Sequence, residues 1–259
     1  MRQIEHNYPK QVKILDDPYL THLCAQLSTS ECQQPKFNQL VKRLFQHLFI
    51  QVINNDWPQT ECTMKTRMTD LHDDVRLKTQ LLDQKQKAVC LDVARAGMLP
   101  SQIFFDELNQ LIDPAGNRQD HVFASRATNE KGEVTHTELS SSKIGGDVNE
   151  AIVLIPDPMG ATGSSLCEVI QYYKDKVPGQ VKKFIAVHMI LTPEYIKKVT
   201  TTHPDVVIYG ARLDRGFSTP EALATPPGTL WEQEKGLNEN QYIVPGAGGV
   251  GELINNSFV

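Results

Sequence analysis

The chain has 259 residues, 40% of them hydrophobic and 22% charged, with a formal net charge of −5. This is the balance of a globular protein, and an acidic excess without a basic block argues against a nucleic-acid backbone as partner. No apolar run approaches the ~18 residues of a membrane span, and the opening MRQIEHNYPKQV lacks a signal peptide's apolar centre, so a cytoplasmic location without membrane contact is expected.

The first 35 residues read as an arm. Asp16-Asp17-Pro18 opens a short helix around Leu20 to Leu27, and the arm either packs on a neighbouring subunit or is a loose terminus. Residues 37–53 form the clearest helix, because Leu40, Val41, Leu44, Leu48, Phe49 and Val52 recur three and four apart. Residues 60–68 alternate as a strand does, and residues 71–84 are polar enough for a surface helix. Residues 87–93 are a buried strand, followed by a loop of small residues around one charge, Ala94-Arg95-Ala96-Gly97-Met98. Pro100 starts a helix with Ile103, Phe104, Leu108 and Leu111 on one face. Residues 121–124 begin a strand that Ser125-Arg126 ends. Glu130-Lys131-Gly132-Glu133 is a hairpin tip, residues 134–139 return, and residues 140–149 are loop. Such a polar hairpin could serve as a lid.

The most informative stretch runs from Ala151 to Val169. Residues 151–155 are apolar at successive positions, as in a parallel strand covered on both faces. Asp157 stands at the strand tip. Pro158-Met159-Gly160-Ala161-Thr162-Gly163-Ser164-Ser165 then leads into a helical pattern. Small residues at a helix N-terminus leave backbone N–H groups open to an anion, phosphate above all. An acid beside such a loop suits a ribose phosphate. The other reading is an ordinary strand-to-helix turn capped by Thr162 or Ser164. The loop has no P-loop lysine and no G-x-S-x-G elbow.

Residues 182–191 form another buried strand. His188 lies inside it and reads as structural rather than as part of a site. Thr192-Pro193-Glu194 caps a helix, and residues 203–209 lead into a further strand. The C-terminal Gly246-Ala247-Gly248-Gly249-Val250-Gly251 contains G-x-G-x-x-G. A dinucleotide fingerprint must open a long helix within a βαβ unit, and only eight residues follow Gly251. A loop whose main chain reads a planar base is the better account. Alternating strands and helices together give an α/β fold with a mainly parallel sheet. The five cysteines are scattered, without C-x-x-C spacing, so neither a disulfide frame nor a zinc site is expected.

Four motifs in order carry a family resemblance. Asp157-Pro158-Met159-x-Ala161-Thr162-Gly163-x-Ser165 resembles the phosphoribosyl-pyrophosphate (PRPP) loop of uracil phosphoribosyltransferases, DPMLATGGS, from which Gly160 and Ser164 depart. Val93-Ala94-Arg95-Ala96-Gly97 resembles that family's RAG loop. His203-Pro204-Asp205-Val206-Val207-Ile208-Tyr209 resembles HPDVDIY, and Tyr242-Ile243-Val244-Pro245-Gly246 resembles YIVPG. Residues 213–217 and 234–239 both resemble DEGLNE, so residues 218–233 read as a surface insertion in which the register is ambiguous.

The resemblance implies a phosphoribosyltransferase-like α/β fold, a mainly parallel sheet flanked by helices, in one domain over residues 1–259. A small hood would come from the C-terminal segment and the N-terminal helices. It implies transfer from PRPP to uracil, giving UMP and pyrophosphate, with Mg²⁺ as cofactor and no protein ligand of the metal directly assigned. It also implies a homodimer or larger homo-oligomer. Asp157 and Arg126, the latter matching the arginine of YRDE, would serve the reacting centre. Arg95, Ala96, Gly97 and Arg126 would hold pyrophosphate. Asp157, Pro158, Met159, Gly160, Ala161, Thr162, Gly163, Ser164 and Ser165 would hold the ribose phosphate, and Ile243, Gly248, Gly249 and Val250 the base. Where the family continues GLGDAGDR, Gly249 takes the first aspartate position and Glu252-Leu253 replaces the Asp-Arg pair. A missing carboxylate would weaken activity with uracil or shift the base preference. A different base, or a homologue that binds PRPP or nucleotide without turnover, are the alternatives.

Overall fold

Residues that are apolar at every position form the middle of the molecule, because only a strand covered on both faces needs them. The computed structural model describes residues 1–128 and 134–257, with side chains described outside residues 125–138. In chain order the strands are β1 (Val12–Ile14), β2 (Gln59–Met64), β3 (Leu77–Leu82), β4 (Ala88–Ala94), β5 (Asn117–Thr128), β6 (Val134–Lys143), β7 (Ile152–Pro156), β8 (Met159–Gly160), β9 (Lys183–Leu191) and β10 (Val207–Leu213). The helices are α1 (Pro18–Leu27), α2 (Lys36–Asp56), α3 (Met98–Leu108), α4 (Ser164–Lys176), α5 (Pro193–Thr202), α6 (Pro220–Leu223) and α7 (Val250–Asn255).

The main sheet has the order β1-β10-β9-β7-β4-β5-β6, with β8 beside β9. Its pairings are parallel except β5 with β6. All five residues of β7 are buried. Side chains alternate between two cores. Ala88, Cys90, Ile152 and Leu154 join α1, α2, α3 and the C-terminal segment on one face. Val89, Leu91, Val153 and Ile155 join α4 and α5 on the other. On α2, residues from Phe37 to Ile53 bury one stripe, each large side chain contributing roughly 1.5–3 kcal/mol of transfer free energy. The hood forms as the resemblance implies. Gln34 Nε2 donates to Leu253 O at 2.7 Å and Asn38 Nδ2 to Ile254 O at 3.0 Å, tying the C-terminal segment to the start of α2.

The path from β4 through α3 runs outward to β5, whereas the path from β7 through α4 runs the other way to β9. The crevice between the carboxyl ends of β4 and β7 is therefore a topological switch point, where open α/β sheets bind ligands. Among the described residues no helix is long and apolar enough to cross a membrane.

Four sequence expectations need correction. Residues 71–84 hold β3, not a helix. It pairs antiparallel with β2 in a two-stranded sheet apart from the main one, with mostly exposed side chains, so burial imposes no strand period on the sequence. The N-terminal arm is neither loose nor aimed away. Its β1 adds a parallel edge strand to β10, and α1 buries Leu20, Leu23, Cys24 and Leu27. β5 and β6 run longer than their apolar residues suggest, because main-chain pairing with each other carries them on. Residues 218–233 are not a plain surface loop. They contain α6, and Trp231 stacks edge-on against the buried Tyr8 at 5.0 Å between ring centroids. The hairpin tip at Glu130, Lys131, Gly132 and Glu133 lies outside the described residues.

Candidate active site

The two loops at the switch point are set by close backbone contacts. In the β4–α3 loop, a Cβ on Gly97 would sit 2.9 Å from Val93 N and 3.0 Å from Val93 O, so only glycine lets the chain turn into α3. The Arg95 side chain is exposed at the crevice and donates to Ser257 Oγ at 2.8 Å. In the β7–α4 loop, Gly163 has φ +79°, and its Cβ would meet Val199 Cγ2 at 3.1 Å. That left-handed residue turns the chain into α4 and aims the amides of the helix start into the crevice.

Asp157 anchors the same loop, its Oδ1 accepting the Met159 amide at 3.1 Å. Burial pushes its carboxyl up to about 7, against the Met159 amide, with the nearby Asp92 charge adding to the rise. Asp92 is itself buried. One of its oxygens accepts from His121 Nδ1 at 2.8 Å, and Oδ1 has no hydrogen-bond partner. Thr192 Oγ1 donates to Ala161 O at 2.6 Å and accepts the Tyr195 amide at 3.0 Å, fastening the loop to the start of α5.

Two cavities open here. The smaller, about 180 Å³, is lined by Arg95, Asp157, Ala161, Thr162, Gly163 and Ser165 among others. His188 and Tyr195 also line it. The larger, about 820 Å³, extends from Arg95 and Asp157 to Ile243 and the run Gly248 to Glu252, with Phe123 and Tyr242 offering half-exposed rings. The C-terminal loop on its far wall is held by acids at strand and helix ends. Asp214 Oδ2 accepts the Gly246 amide at 2.7 Å, and the Glu194 carboxylate accepts the amides of Gly236 at 3.0 Å and Leu237 at 3.1 Å.

Most expected site residues thus meet at one place. Asp157, Arg95, Ala96, Met159, Ala161, Thr162, Gly163 and Ser165 line the smaller cavity. Ile243, Gly248, Gly249 and Val250 line the larger. Gly97, Pro158, Gly160 and Ser164 do not line either. Gly97, Pro158 and Gly160 are buried beneath the loops, where Pro158 O accepts from Met189 N at 3.1 Å and Gly160 O from Thr192 N at 3.1 Å, while the half-buried Ser164 opens α4 and donates its amide to Thr162 Oγ1 at 3.3 Å. The main chain of Arg126 lies in β5, two residues beyond Ala124, which lines both cavities; its side chain lies outside the described residues. Sequence reading left out His188, which lines the cavity, and missed Tyr195, Phe123, Tyr242 and Glu252. The residues 213–217 and 234–239 lie side by side, Phe217 N donating to Lys235 O at 2.8 Å, so the insertion leaves and returns at one point.

A mainly parallel sheet with an acid-tipped strand, an amide loop at a helix start and an arginine loop on the neighbouring strand defines a phosphoribosyltransferase of the type I fold. The chain belongs to the uracil phosphoribosyltransferase family, whose model matches residues 14–229. The uracil phosphoribosyltransferase of Thermoanaerobacter sp. (strain X514) is 27% identical over 245 residues, covering 95% of this chain and 97% of its own. That of Campylobacter curvus (strain 525.92) is 26% identical over 249 residues, covering 96% and 100%. A solved protein from Aquifex aeolicus shares the fold with a TM-score of 0.68 at 20% identity, over 94% of this chain and 97% of that one.

Proposed function

We propose that the chain transfers the phosphoribosyl group of PRPP to uracil, giving UMP and pyrophosphate. The observation that carries this reading is the seam between the two cavities. Arg95, Asp157 and Ala161 line both, so an anion held by the α4 amides and a base held by the C-terminal loop would meet there.

Asp157 would accept from the ribose hydroxyls, and the amides from Ala161 to Ser165 would hold the 5′-phosphate. Arg95, with Arg126, would face the pyrophosphate. The C1–oxygen bond breaks as the base nitrogen bonds to C1, and that nitrogen's proton leaves with the pyrophosphate. The protein then contributes orientation and electrostatics rather than a nucleophile. Among the described residues no three acidic, histidine or cysteine side chains gather as a metal cage. Mg²⁺ suits this site as an ion carried on PRPP oxygens, since it keeps few protein ligands beside substrate phosphates. It would neutralise the leaving group together with Arg95.

The family's expectation of a homodimer is carried to this chain as well. It is supported by apolar side chains exposed along the β2–β3 arm, at Met64, Met68, Leu71, Val75 and Leu77. The deciding experiment is a product assay with PRPP, Mg²⁺ and a panel of free bases. UMP from uracil is the expected result. A different nucleotide, or none from any base despite PRPP binding, would replace this reading.

A further inference from the structure

Gly249 precedes α7, and Glu252 lies in that helix's first turn. The Glu252 side chain folds back over the glycine. A Cβ on Gly249 would sit 2.3 Å from Glu252 Oε2 and 2.9 Å from its Cδ. The backbone at Gly249 has φ −76°, which any residue adopts, so a side chain placed there would displace the end of the Glu252 side chain rather than strain the main chain. Glu252 fills the volume in which a side chain at position 249 would begin, the position where the resembled motif has aspartate. A carboxylate three residues further on thus stands beside position 249.

This carboxylate lines the larger cavity, and besides Asp157 it is the acidic side chain on that wall. Among the described residues no protein donor is bonded to it, and the amides of Gly248 and Gly249 donate to no protein acceptor. A carboxylate acceptor and main-chain donors lining one cavity supply the two kinds of group that a planar edge reading carbonyl, N–H, carbonyl requires.

We infer that Glu252 is the base-orienting residue of this enzyme, its carboxylate accepting the ring N–H of a pyrimidine-2,4-dione while the loop amides face the carbonyls. The inference rests on the proposed function and names the residue that selects the base. Cytosine presents a lone pair at the corresponding ring nitrogen, which the carboxylate repels. A hydrogen bond to a charged group corresponds to roughly a tenfold to hundredfold effect.

The test is steady-state kinetics with uracil and cytosine on the natural chain, Glu252→Gln, Glu252→Ala, Gly249→Asp and Gly249→Asp/Glu252→Ala. PRPP affinity and melting temperature are measured alongside by calorimetry. Glu252→Ala should raise KM for uracil about tenfold to a hundredfold, and Glu252→Gln, whose amide can accept from uracil or donate to cytosine, should narrow the preference for uracil over cytosine; both should leave PRPP affinity within about twofold. Gly249→Asp alone should lose activity because two carboxylates contest one volume, and the double variant should recover most of it. If Glu252→Gln, folded and binding PRPP, keeps the natural KM for uracil and the natural base preference, the inference is overturned even when Gly249→Asp fails to fold. If the natural chain binds PRPP yet makes nucleotide from no base, the proposed function falls and this inference with it. UMP formation by the natural chain with an unaltered Glu252→Gln overturns the inference alone.

Discussion

His188 Nδ1 lies 2.7 Å from the main-chain carbonyl oxygen of Asp157. A carbonyl can only accept, so Nδ1 carries the proton. Burial pushes the imidazole down to about 4, which keeps it neutral and leaves Nε2 an acceptor. The Tyr195 hydroxyl, 2.6 Å away, therefore donates to it. This chain of two hydrogen bonds runs from the start of α5 to the residue that carries the acid, so it positions Asp157. Tyr195→Phe removes the donor and leaves a buried Nε2 unpaired. The expected cost is about 1–3 kcal/mol of stability, read by thermal or denaturant unfolding, with a raised KM for PRPP. Unchanged values of both would show that the pair positions nothing.

Asp157 supplies a pH dependence. Its carboxyl is raised to about 7 in the folded chain from an ordinary value of 3.8. Stability contributed by the neutral form is fully present below the unfolded value, near 4, and is lost as pH rises through about 7. Ribose hydroxyls need the ionised form as acceptor, so PRPP affinity should move the opposite way, rising with pH through about 7. Calorimetric titration between pH 5.5 and pH 8.5, ~3 units around that value, is the measurement. Asp157→Asn should flatten this contribution, leaving only the titration of PRPP itself. A natural chain and an Asp157→Asn chain with the same pH slope would remove Asp157 from the ribose site.

Gly160 shows how a departure from a motif is explained by a residue far along the chain. A Cβ there would meet Leu191 Cδ2 at 2.7 Å and the Tyr195 ring at 3.1 Å. The resembled motif has leucine at this place, and here Leu191 and the Tyr195 ring take the room. Gly160→Leu should therefore destabilise the fold by about 1–3 kcal/mol, as overpacking does, and disturb the loop above it. Denaturant unfolding of Gly160→Ala beside Gly160→Leu checks the cause. The cost should grow with side-chain size, and a Gly160→Leu chain as stable as the natural one would refute the lack of room.

What the sequence made legible follows the same physics. β7 and α2 could be read because burial imposes a pattern on every residue, and the loops around Arg95 and Asp157 because small residues crowd where backbone approaches backbone. β3 could not, since its side chains face water and carry no period. His188 looks structural in sequence because it stands alone in an apolar strand, Tyr195 carries no signal, and only the fold shows that they meet. Glu252 had one available signal, an acid in the first turn after a glycine, which is where a side chain can reach back over the helix start. The register around residues 218–233 stayed ambiguous because the chain leaves and re-enters at one point, so both flanks fit one motif.

The β2–β3 arm yields the last prediction. Leu71 is 74% and Val75 64% exposed, although both are large and apolar. β2 and β3 pair with each other and with no strand of the main sheet. Apolar side chains displayed on a projecting arm lower their free energy by being covered, and a second copy of the chain would cover them. Sedimentation of the natural protein at micromolar concentration should give a dimer or larger species. Leu71→Asp/Val75→Asp should shift it toward monomer, since a charge at a buried interface without a partner is costly. The core of the main sheet should remain folded in that variant, because neither residue belongs to either core cluster, and circular dichroism checks this directly. A natural chain that sediments as monomer would remove the proposed homodimer. A double variant that stays dimeric would place the interface elsewhere on the surface.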